Sequence, residues 1–205
     1  MNKIITIGRQ LGSNGRIIGE ALAKRLGYKF YDKELIAKVA KDNGLSEHLF
    51  EGIDEKPTNS MLYSLVMGIQ SGKGLYYQYN DIMNGDNLFK LQSDVIKGIA
   101  KEDNCVIVGR CADYILRDHP GLVKVFLYAS REEIVKNLMA RDNMSEKLAN
   151  SAVSKADKRR SNYYNFYTNN VWGDVNNYHL CLDTASLPTE KCVDILVKFA
   201  ETKNA

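Results

Sequence analysis

The sequence predicts an α/β fold built on a five-stranded parallel sheet, and three observations support this. The chain opens with an apolar strand, an amphipathic helix, a second strand and a second helical pattern, which is the order expected of a parallel sheet with crossover helices. Three more apolar strands follow later, each with helix-like sequence after it. With 205 residues, of which 44% are hydrophobic, the chain can bury one substantial core, so we expect a single domain over 1–205.

The element boundaries follow from residue spacing. The first helix carries an apolar stripe from Ile17 to Leu26, and Gly27 is expected to end it because glycine readily adopts the left-handed conformation of a helix C-cap. Ser130 and Glu133 form the pattern of a capping box, which predicts a helix start. Predicted strands cover residues 3–8, 28–31, 105–108, 123–128 and 179–183, and predicted helices cover 17–26, 33–42, 60–69, 87–100, 130–140 and 145–167.

Composition narrows the class of function. The 28 basic and 25 acidic residues leave a net charge of +3, which does not by itself indicate a nucleic-acid or membrane partner. The four cysteines show neither a C-x-x-C spacing nor a histidine at zinc-finger distance, so we expect reduced thiols. The N-terminus enters a strand almost at once, and no apolar run reaches transmembrane length. We expect a cytoplasmic protein with neither a nucleic-acid nor a membrane partner, and its oligomeric state is left open.

The most informative segment joins the first strand to the first helix. Glycines at this turn let the backbone bend sharply, and the amides at a helix N-terminus carry a partial positive charge that attracts phosphate. Arg9 and Arg16 flank the turn and offer guanidinium groups that can bind phosphate oxygens in pairs. The predicted phosphate-binding loop consists of Gly12, Ser13, Asn14, Gly15, Arg16 and Ile17.

This loop fits neither of two common phosphate-binding motifs. In the Walker A pattern G-x-x-x-x-G-K-[ST], aligned on Gly15, the chain has Gln10 for the first glycine, Arg16 for the lysine and Ile17 for the hydroxyl residue. The dinucleotide pattern G-x-G-x-x-G also fails, although Asp32 lies at a distance suited to a ribose contact. The alternative interpretation of this segment is a glycine-rich turn between a strand and a helix that binds no phosphate.

Several segments together resemble the cytidylate-kinase-like family of P-loop nucleoside monophosphate kinases. They are residues 5–16, 30–35, 106–113, 157–164 and 183–188, so the resemblance covers nearly the whole chain. It implies a P-loop NTPase-type three-layer sandwich with a helical acceptor-binding insertion at 45–103 and a helical lid at 141–160. It also implies ATP as the phosphoryl donor, Mg²⁺ as a cofactor, and a nucleoside monophosphate or another small acceptor as substrate, with cytidylate as the default acceptor.

The same resemblance implies roles for individual charged side chains. Phosphoryl transfer depends mainly on alignment and on cations that stabilise the transferring charge. The implied catalytic residues are Arg16, Arg141 and Arg160, and the implied acceptor-binding residues are Asp32, Arg110 and Asp157. Two alternatives stay open: Asp32 is also placed to cap a helix, and Asp157 is also placed to pair with Arg160 three residues later.

The metal ligands are not assigned by the sequence. Ile17 stands where a Walker A loop has its magnesium-binding hydroxyl, and Gly109 and Arg110 follow the third strand where an acidic residue would serve. Two further functions therefore remain open beside the kinase. One is a nucleotide-binding sensor without catalysis, and the other is an NADP-dependent reductase suggested by the glycine spacing and Asp32.

Overall fold

A computed structural model describes residues 2–32 and 85–203 of the chain. The strands in these residues are β1 (Ile4–Arg9), β2 (Lys29–Tyr31), β3 (Cys105–Val108), β4 (Leu122–Tyr128) and β5 (Leu180–Asp183). The helices are α1 (Gly15–Leu26), α2 (Gly85–Glu102), α3 (Ala112–Ile115), α4 (Arg131–Asp142), α5 (Glu146–Thr168) and α6 (Thr189–Lys203), with a 3₁₀ turn at Val175–Asn177. Among them, no helix combines the length and the apolar character needed to cross a bilayer.

The five strands form one sheet in the order β2-β3-β1-β4-β5, and every pairing is parallel, which confirms the predicted fold class. β1 is central: Ile4 pairs with Cys105 on one side and with Leu122 on the other. Because all strands run the same way, their carboxyl ends meet at one edge, where open α/β sheets bind ligands. In the dinucleotide-binding fold β1 and β2 are neighbours, whereas here β3 separates them, so we do not carry the reductase alternative further.

Helices cover both faces of the sheet and make it the middle layer of a sandwich. Side chains alternate between faces along a strand. Ile5 and Ile7 therefore pack with buried residues of α1 and α6, while Ile4 packs with buried residues of α2, α3 and α5. All three isoleucines are at most 1% exposed. The predicted three-layer arrangement is thus present.

Helix ends match the signals in the sequence. Gly27 ends α1 with a φ of 69°, a left-handed conformation that costs glycine little. The hydroxyl of Ser130 caps α4 by accepting a hydrogen bond from the Glu133 amide at 3.3 Å. α2 spans the predicted helix at 87–100, and α4 and α5 extend the predictions at 130–140 and 145–167 by one or two residues. The predicted helices at 33–42 and 60–69 and the segment 45–84 of the predicted insertion lie outside the described residues.

Candidate functional site

The turn between β1 and α1 is held by bonds to its carbonyl groups. Asn137 on α4 donates a side-chain hydrogen bond to the Gly12 carbonyl at 3.1 Å. Thr184, just after β5, donates its hydroxyl to the Ser13 carbonyl at 2.9 Å. These two bonds hold the loop through its carbonyl oxygens and do not use its amide groups.

The amides of the turn are directed differently. The Gln10 amide bonds the Leu127 carbonyl at 3.1 Å, and the Leu11 amide bonds the carboxylate of Asp157. Later in the turn, four amides have no hydrogen-bond acceptor within residues 2–32 and 85–203; they belong to Gly12, Asn14, Gly15 and Ile17. Open amides beside the positive end of a helix dipole form a site suited to an anion such as phosphate.

Arg16 is directed toward β2. Its Nε donates to Asp32 at 2.8 Å, and its guanidinium lies 5.9 Å from the ring centroid of Phe30 and 3.7 Å from Glu20. The Arg16 side chain is 60% exposed, whereas that of Asp32 is 10% exposed. The structure therefore brings together two residues that the sequence placed in different roles, one catalytic and one acceptor-binding.

Arg110 follows β3 at the carboxyl edge and is only 6% exposed. Its Nη1 donates to the side-chain oxygen of Gln92 at 3.2 Å, and Gln92 returns a bond from its amide nitrogen to the Arg110 carbonyl. Gln92 also bonds the hydroxyl of Tyr163 at 3.1 Å. Arg110 is thus fixed at the carboxyl edge by Gln92 of α2, which is itself bonded to Tyr163 of α5.

The backbone after β3 adopts an uncommon conformation. Gly109, Arg110 and Cys111 have φ angles of 79°, 61° and 54°, so three successive residues are left-handed. For the two residues that are not glycine, this conformation costs on the order of 1–3 kcal/mol each. Such strain clusters at ligand sites, and here it positions the Arg110 side chain.

Three arginines line one narrow cleft at the carboxyl edge. Arg9 ends β1, Arg110 follows β3, and Arg160 reaches in from α5. Arg160 donates to the Arg9 carbonyl at 3.1 Å. The other cleft residues include Asp113, whose carboxylate accepts a 2.7 Å hydrogen bond from the Tyr164 hydroxyl. Burial raises the pKa of Asp113 despite that bond.

Asp157, also on α5, contacts the turn between β1 and α1. One carboxylate oxygen accepts the Leu11 amide, while Oδ1 is buried and has no hydrogen-bond partner among the described residues. Burial raises the pKa of Asp157, and the nearby charges of Arg160 and Arg131 partly oppose the shift. A buried carboxylate oxygen without a donor is costly, so Oδ1 is a candidate for binding a ligand donor group.

This chain resembles known proteins in both sequence and structure. The sequence matches the model of the cytidylate kinase-like family over residues 4–186. The chain belongs to this family. None of the curated proteins compared with it matches.

Solved structures show the same architecture. A protein of uncharacterised function from Eubacterium ventriosum is 27% identical, with 98% of this chain and 99% of that chain covered and a TM-score of 0.72. Shikimate kinase from Bacteroides thetaiotaomicron is 13% identical over 97% of this chain and 98% of that chain, with a TM-score of 0.55. A gluconokinase from Sinorhizobium meliloti is 15% identical over 98% and 92%, with a TM-score of 0.52. The last two likenesses establish a shared fold, that of P-loop kinases.

Arg141, another predicted catalytic residue, lies apart from the cleft. Arg141 is in the last turn of α4, where Nε and Nη2 each donate to a carboxylate oxygen of Asp142 at 2.7 Å. Its pKa is raised by the Asp142 carboxylate. The Arg141 side chain is 52% exposed, and no contact with the phosphate loop is seen among the described residues. Its predicted catalytic role remains a prediction that depends on movement of α4 and α5.

The residues fit the phosphates of a nucleotide better than they fit a protein-bound metal. The open amides and three arginines match polyphosphate chemistry. Neither Arg16 nor Ile17, the two residues that could stand at the hydroxyl position of a Walker A loop, has a hydroxyl group. In the part of the chain that the structure describes, no three His, Cys, Asp or Glu side chains are grouped to hold a cation. We therefore assign no protein ligand to magnesium.

Sequence reasoning missed the residues that support the arginines. Gln92 is 1% exposed and joins Arg110 to Tyr163, yet it lies in a helix of the insertion, where the spacing shows only an amphipathic pattern. The sequence signal that could have identified Gln92 is its polar side chain on the apolar stripe of α2. Arg9 was recognised as flanking the loop but not as a member of the cleft, because its direction depends on the tertiary fold.

Proposed function

We propose that this protein transfers the γ-phosphate of ATP to a nucleoside monophosphate or to another small acceptor. Cytidylate is the first acceptor to test because the chain belongs to the cytidylate kinase-like family. The observation that supports this most is the arrangement at the carboxyl edge. Open amides at the start of α1 lie on one side of Arg9, and buried Arg110 lies on the other, so two anions would meet beside a common set of cations.

The donor half of the site is the loop from Gly12 to Ile17. Its open amides would bind the β- and γ-phosphates, whose negative charge suits the positive end of the α1 dipole. The contacts from Asn137 and Thr184 keep the loop in this shape. A loop that is already in place needs little rearrangement when phosphate binds, which favours affinity.

The acceptor half is formed by Arg110 and Asp157. Arg110 would bind the anionic group of the acceptor, and Gln92 holds its guanidinium in position. Asp157 would use Oδ1 to accept a hydrogen bond from a hydroxyl or amino group of the substrate. Asp32, predicted as a third acceptor contact, would act here only by exchanging its bond with Arg16.

The reaction then needs alignment and charge stabilisation. An oxygen of the acceptor attacks the γ-phosphorus, the bond from that phosphorus to the β–γ bridging oxygen breaks, and ADP leaves with the electron pair. Negative charge spreads over the γ-phosphoryl oxygens in this transition state, so fixed guanidinium groups stabilise it more than they stabilise the bound substrates. Arg9, Arg110 and Arg160 are the described cations placed for that role.

The predicted domain plan belongs to the same proposal. A single domain over 1–205 would carry an acceptor-binding insertion at 45–103 and a lid at 141–160. The lid would include the end of α4 and most of α5, and its closure would bring Arg141 toward the donor phosphates. We also propose that the protein works in the cytoplasm, where ATP and its acceptor are available.

A sensor that binds nucleotide without transferring phosphate is the second candidate. Two observations favour it: Arg16 is bonded to Asp32, and neither Arg16 nor Ile17 supplies a hydroxyl for a metal. In that case the same loop and cleft would bind nucleotide, and the change of shape on binding would be the output.

Direct assay separates the two functions. ADP formation from ATP would be measured with cytidylate, other nucleoside monophosphates, shikimate and gluconate, each with and without Mg²⁺. Acceptor-dependent turnover that is lost in Arg110→Met but kept in Arg25→Met would support the kinase. Arg25 is a suitable control because it lies in the last turn of α1, at the opposite end from the loop. Nucleotide binding without turnover for any acceptor would favour the sensor.

A further inference from the structure

We propose that Arg9 supplies the phosphate-binding cation that a lysine in the first helical turn provides in Walker A loops. The proposal rests on the proposed function, because it places this charge where donor and acceptor phosphates meet. It concerns a side chain from the end of a strand, whereas the Walker lysine comes from the helix itself.

The first step is the register of the loop. A Walker A loop has glycine immediately before its lysine. The left-handed residues of this loop are Gly12, with a φ of 78°, and Asn14, with a φ of 56°, whereas Gly15 has no positive φ. Asn14 therefore occupies the position where the backbone favours glycine, and Gly15, the first residue of α1, occupies the position of the lysine. This register is one residue earlier than the alignment on Gly15, and it puts Arg9 in place of the first glycine.

The second step is the path of the Arg9 side chain. A Cβ built on Gly15 would lie 2.7 Å from the Arg9 Cβ and 2.9 Å from its Cγ. The stem of Arg9 thus crosses the space that a side chain at Gly15 would enter. A Cβ built on Gly109 would lie 3.0 Å from Arg9 Cζ, so the guanidinium lies over the turn after β3. Glycine at both positions leaves room for this single long side chain.

The third step is the position of the charge. Arg9 is the last residue of central strand β1 and pairs with Leu127 of β4. Its carbonyl is held by Arg160, and its guanidinium reaches the turn that carries Arg110. The charge therefore lies between the loop amides and the acceptor-side arginine. Arg9 therefore stands where the Walker pattern has its first glycine, and Gly15 stands where the pattern has its lysine.

The cleft is too narrow for a phosphoryl group without a side-chain shift. Its volume is about 30 Å³, room for two or three water molecules, since a cavity needs about 10–15 Å³ to hold one. Arg110 is buried and fixed by Gln92, whereas Arg9 is only partly buried. Rotation of the Arg9 guanidinium away from Gly109 is the motion that would admit the phosphoryl group and keep the charge beside it.

Binding of inorganic triphosphate, measured by calorimetry, tests this without requiring catalysis. Arg9→Met is expected to weaken binding by about ten-fold or more, because a charge-assisted hydrogen bond is lost, while Arg25→Met binds as the unchanged protein does. The double variant Arg9→Gly with Gly15→Lys is expected to recover affinity lost in Arg9→Gly alone. Recovery identifies the charge as the cause, since a merely structural role of Arg9 would not be replaced from the helix.

The outcomes separate this proposal from the proposed function. Unchanged triphosphate binding in Arg9→Met, or no recovery in the double variant, would overturn the role of Arg9. Failure of the unchanged protein to bind triphosphate would overturn both ideas. Arg9-dependent binding in a protein that phosphorylates none of the tested acceptors would leave the role of Arg9 standing and contradict only phosphoryl transfer to those acceptors.

Discussion

Arg160 on α5 donates a hydrogen bond from Nη1 to the carbonyl oxygen of Arg9, 3.1 Å away at the end of β1. This bond joins α5 to the central strand of the sheet. Since Asp157 on the same helix accepts the Leu11 amide, α5 is attached to the turn at two points one helical turn apart. The position of α5, which we propose to be part of the lid, is therefore coupled to the position of the turn between β1 and α1.

The first prediction concerns this coupling. Arg160→Met removes one cation from the cleft and one charge-assisted hydrogen bond, so we expect acceptor-dependent turnover to fall about ten- to hundred-fold. Arg160→Lys keeps the charge but not the planar fork, so its loss should be smaller. Steady-state rates of the three proteins would be compared at saturating ATP. Equal losses in both variants would show that hydrogen-bond geometry, rather than charge, determines the effect.

A second prediction concerns Gln92. Gln92→Leu removes the side-chain oxygen that accepts from Arg110 and the amide that bonds the Tyr163 hydroxyl, all in a buried setting. We expect unfolding free energy to fall by about 1–3 kcal/mol, as for other buried polar groups that lose a partner. We also expect monophosphate affinity to fall more than triphosphate affinity, because we propose that Arg110 binds the acceptor.

Urea denaturation and ligand titration would check both parts, and Gln92→Glu is the matched control. Glutamate keeps an acceptor oxygen for Arg110, but it loses the amide donor and adds a negative charge beside the guanidinium, so monophosphate binding should fall, though less than in Gln92→Leu. Loss of triphosphate and monophosphate affinity by the same factor in Gln92→Leu would mean that Arg110 does not distinguish the two subsites.

Local signals were sufficient for the elements of the fold and for the position of the glycine-containing turn after β1. Apolar strands, helical stripes, Gly27 and Ser130 each act through residues close in sequence, and the structure confirms the elements they predict. The family-specific segments added the arrangement of sheet, insertion and lid, of which the sheet is confirmed.

Contacts between distant residues could not be predicted in the same way. Gln92 and Tyr163 are separated by 71 residues, and Arg9 and Arg160 by 151. No spacing rule reports whether such residues face each other, because the topology of the whole sheet determines it. The direction of the Arg16 side chain could not be predicted for the same reason. The fold brings Asp32, just after β2, beside the start of α1, where the Arg16 guanidinium donates a hydrogen bond to its carboxylate.

The third prediction is a coupling energy between Arg16 and Asp32. A double-mutant cycle with Arg16→Ala and Asp32→Asn should give about 1 kcal/mol of interaction in unfolding free energy. The value is modest because the arginine is largely exposed, and it should decrease in high salt. Glu20, four residues after Arg16 and 62% exposed, provides the control pair and should couple less strongly. Coupling near zero at low salt would indicate that Arg16 is directed elsewhere in solution.

The final prediction concerns pH and His179. Its Nδ1 accepts a hydrogen bond from the Lys124 amide at 3.0 Å, which requires that nitrogen to be unprotonated. Burial, with the charges of Lys203 and Lys124, lowers the pKa of His179 from 6.5 to about 4. A histidine with a lowered pKa favours folding in its neutral form, so this contribution is complete above pH 6.5 and is lost as pH falls toward about 4.

The size of this effect is limited by solvent, because the His179 side chain is exposed. We expect a loss of about 1 kcal/mol, well below what the pKa shift alone would give in a buried site. His179→Asn is the matched variant, since its side-chain oxygen can accept the same amide and does not titrate. Urea denaturation at neutral and mildly acidic pH should show a steeper loss of stability in the unchanged protein than in His179→Asn. Parallel pH profiles would mean that the Lys124 amide bond does not depend on His179 protonation, since every other titrating group is common to the two proteins.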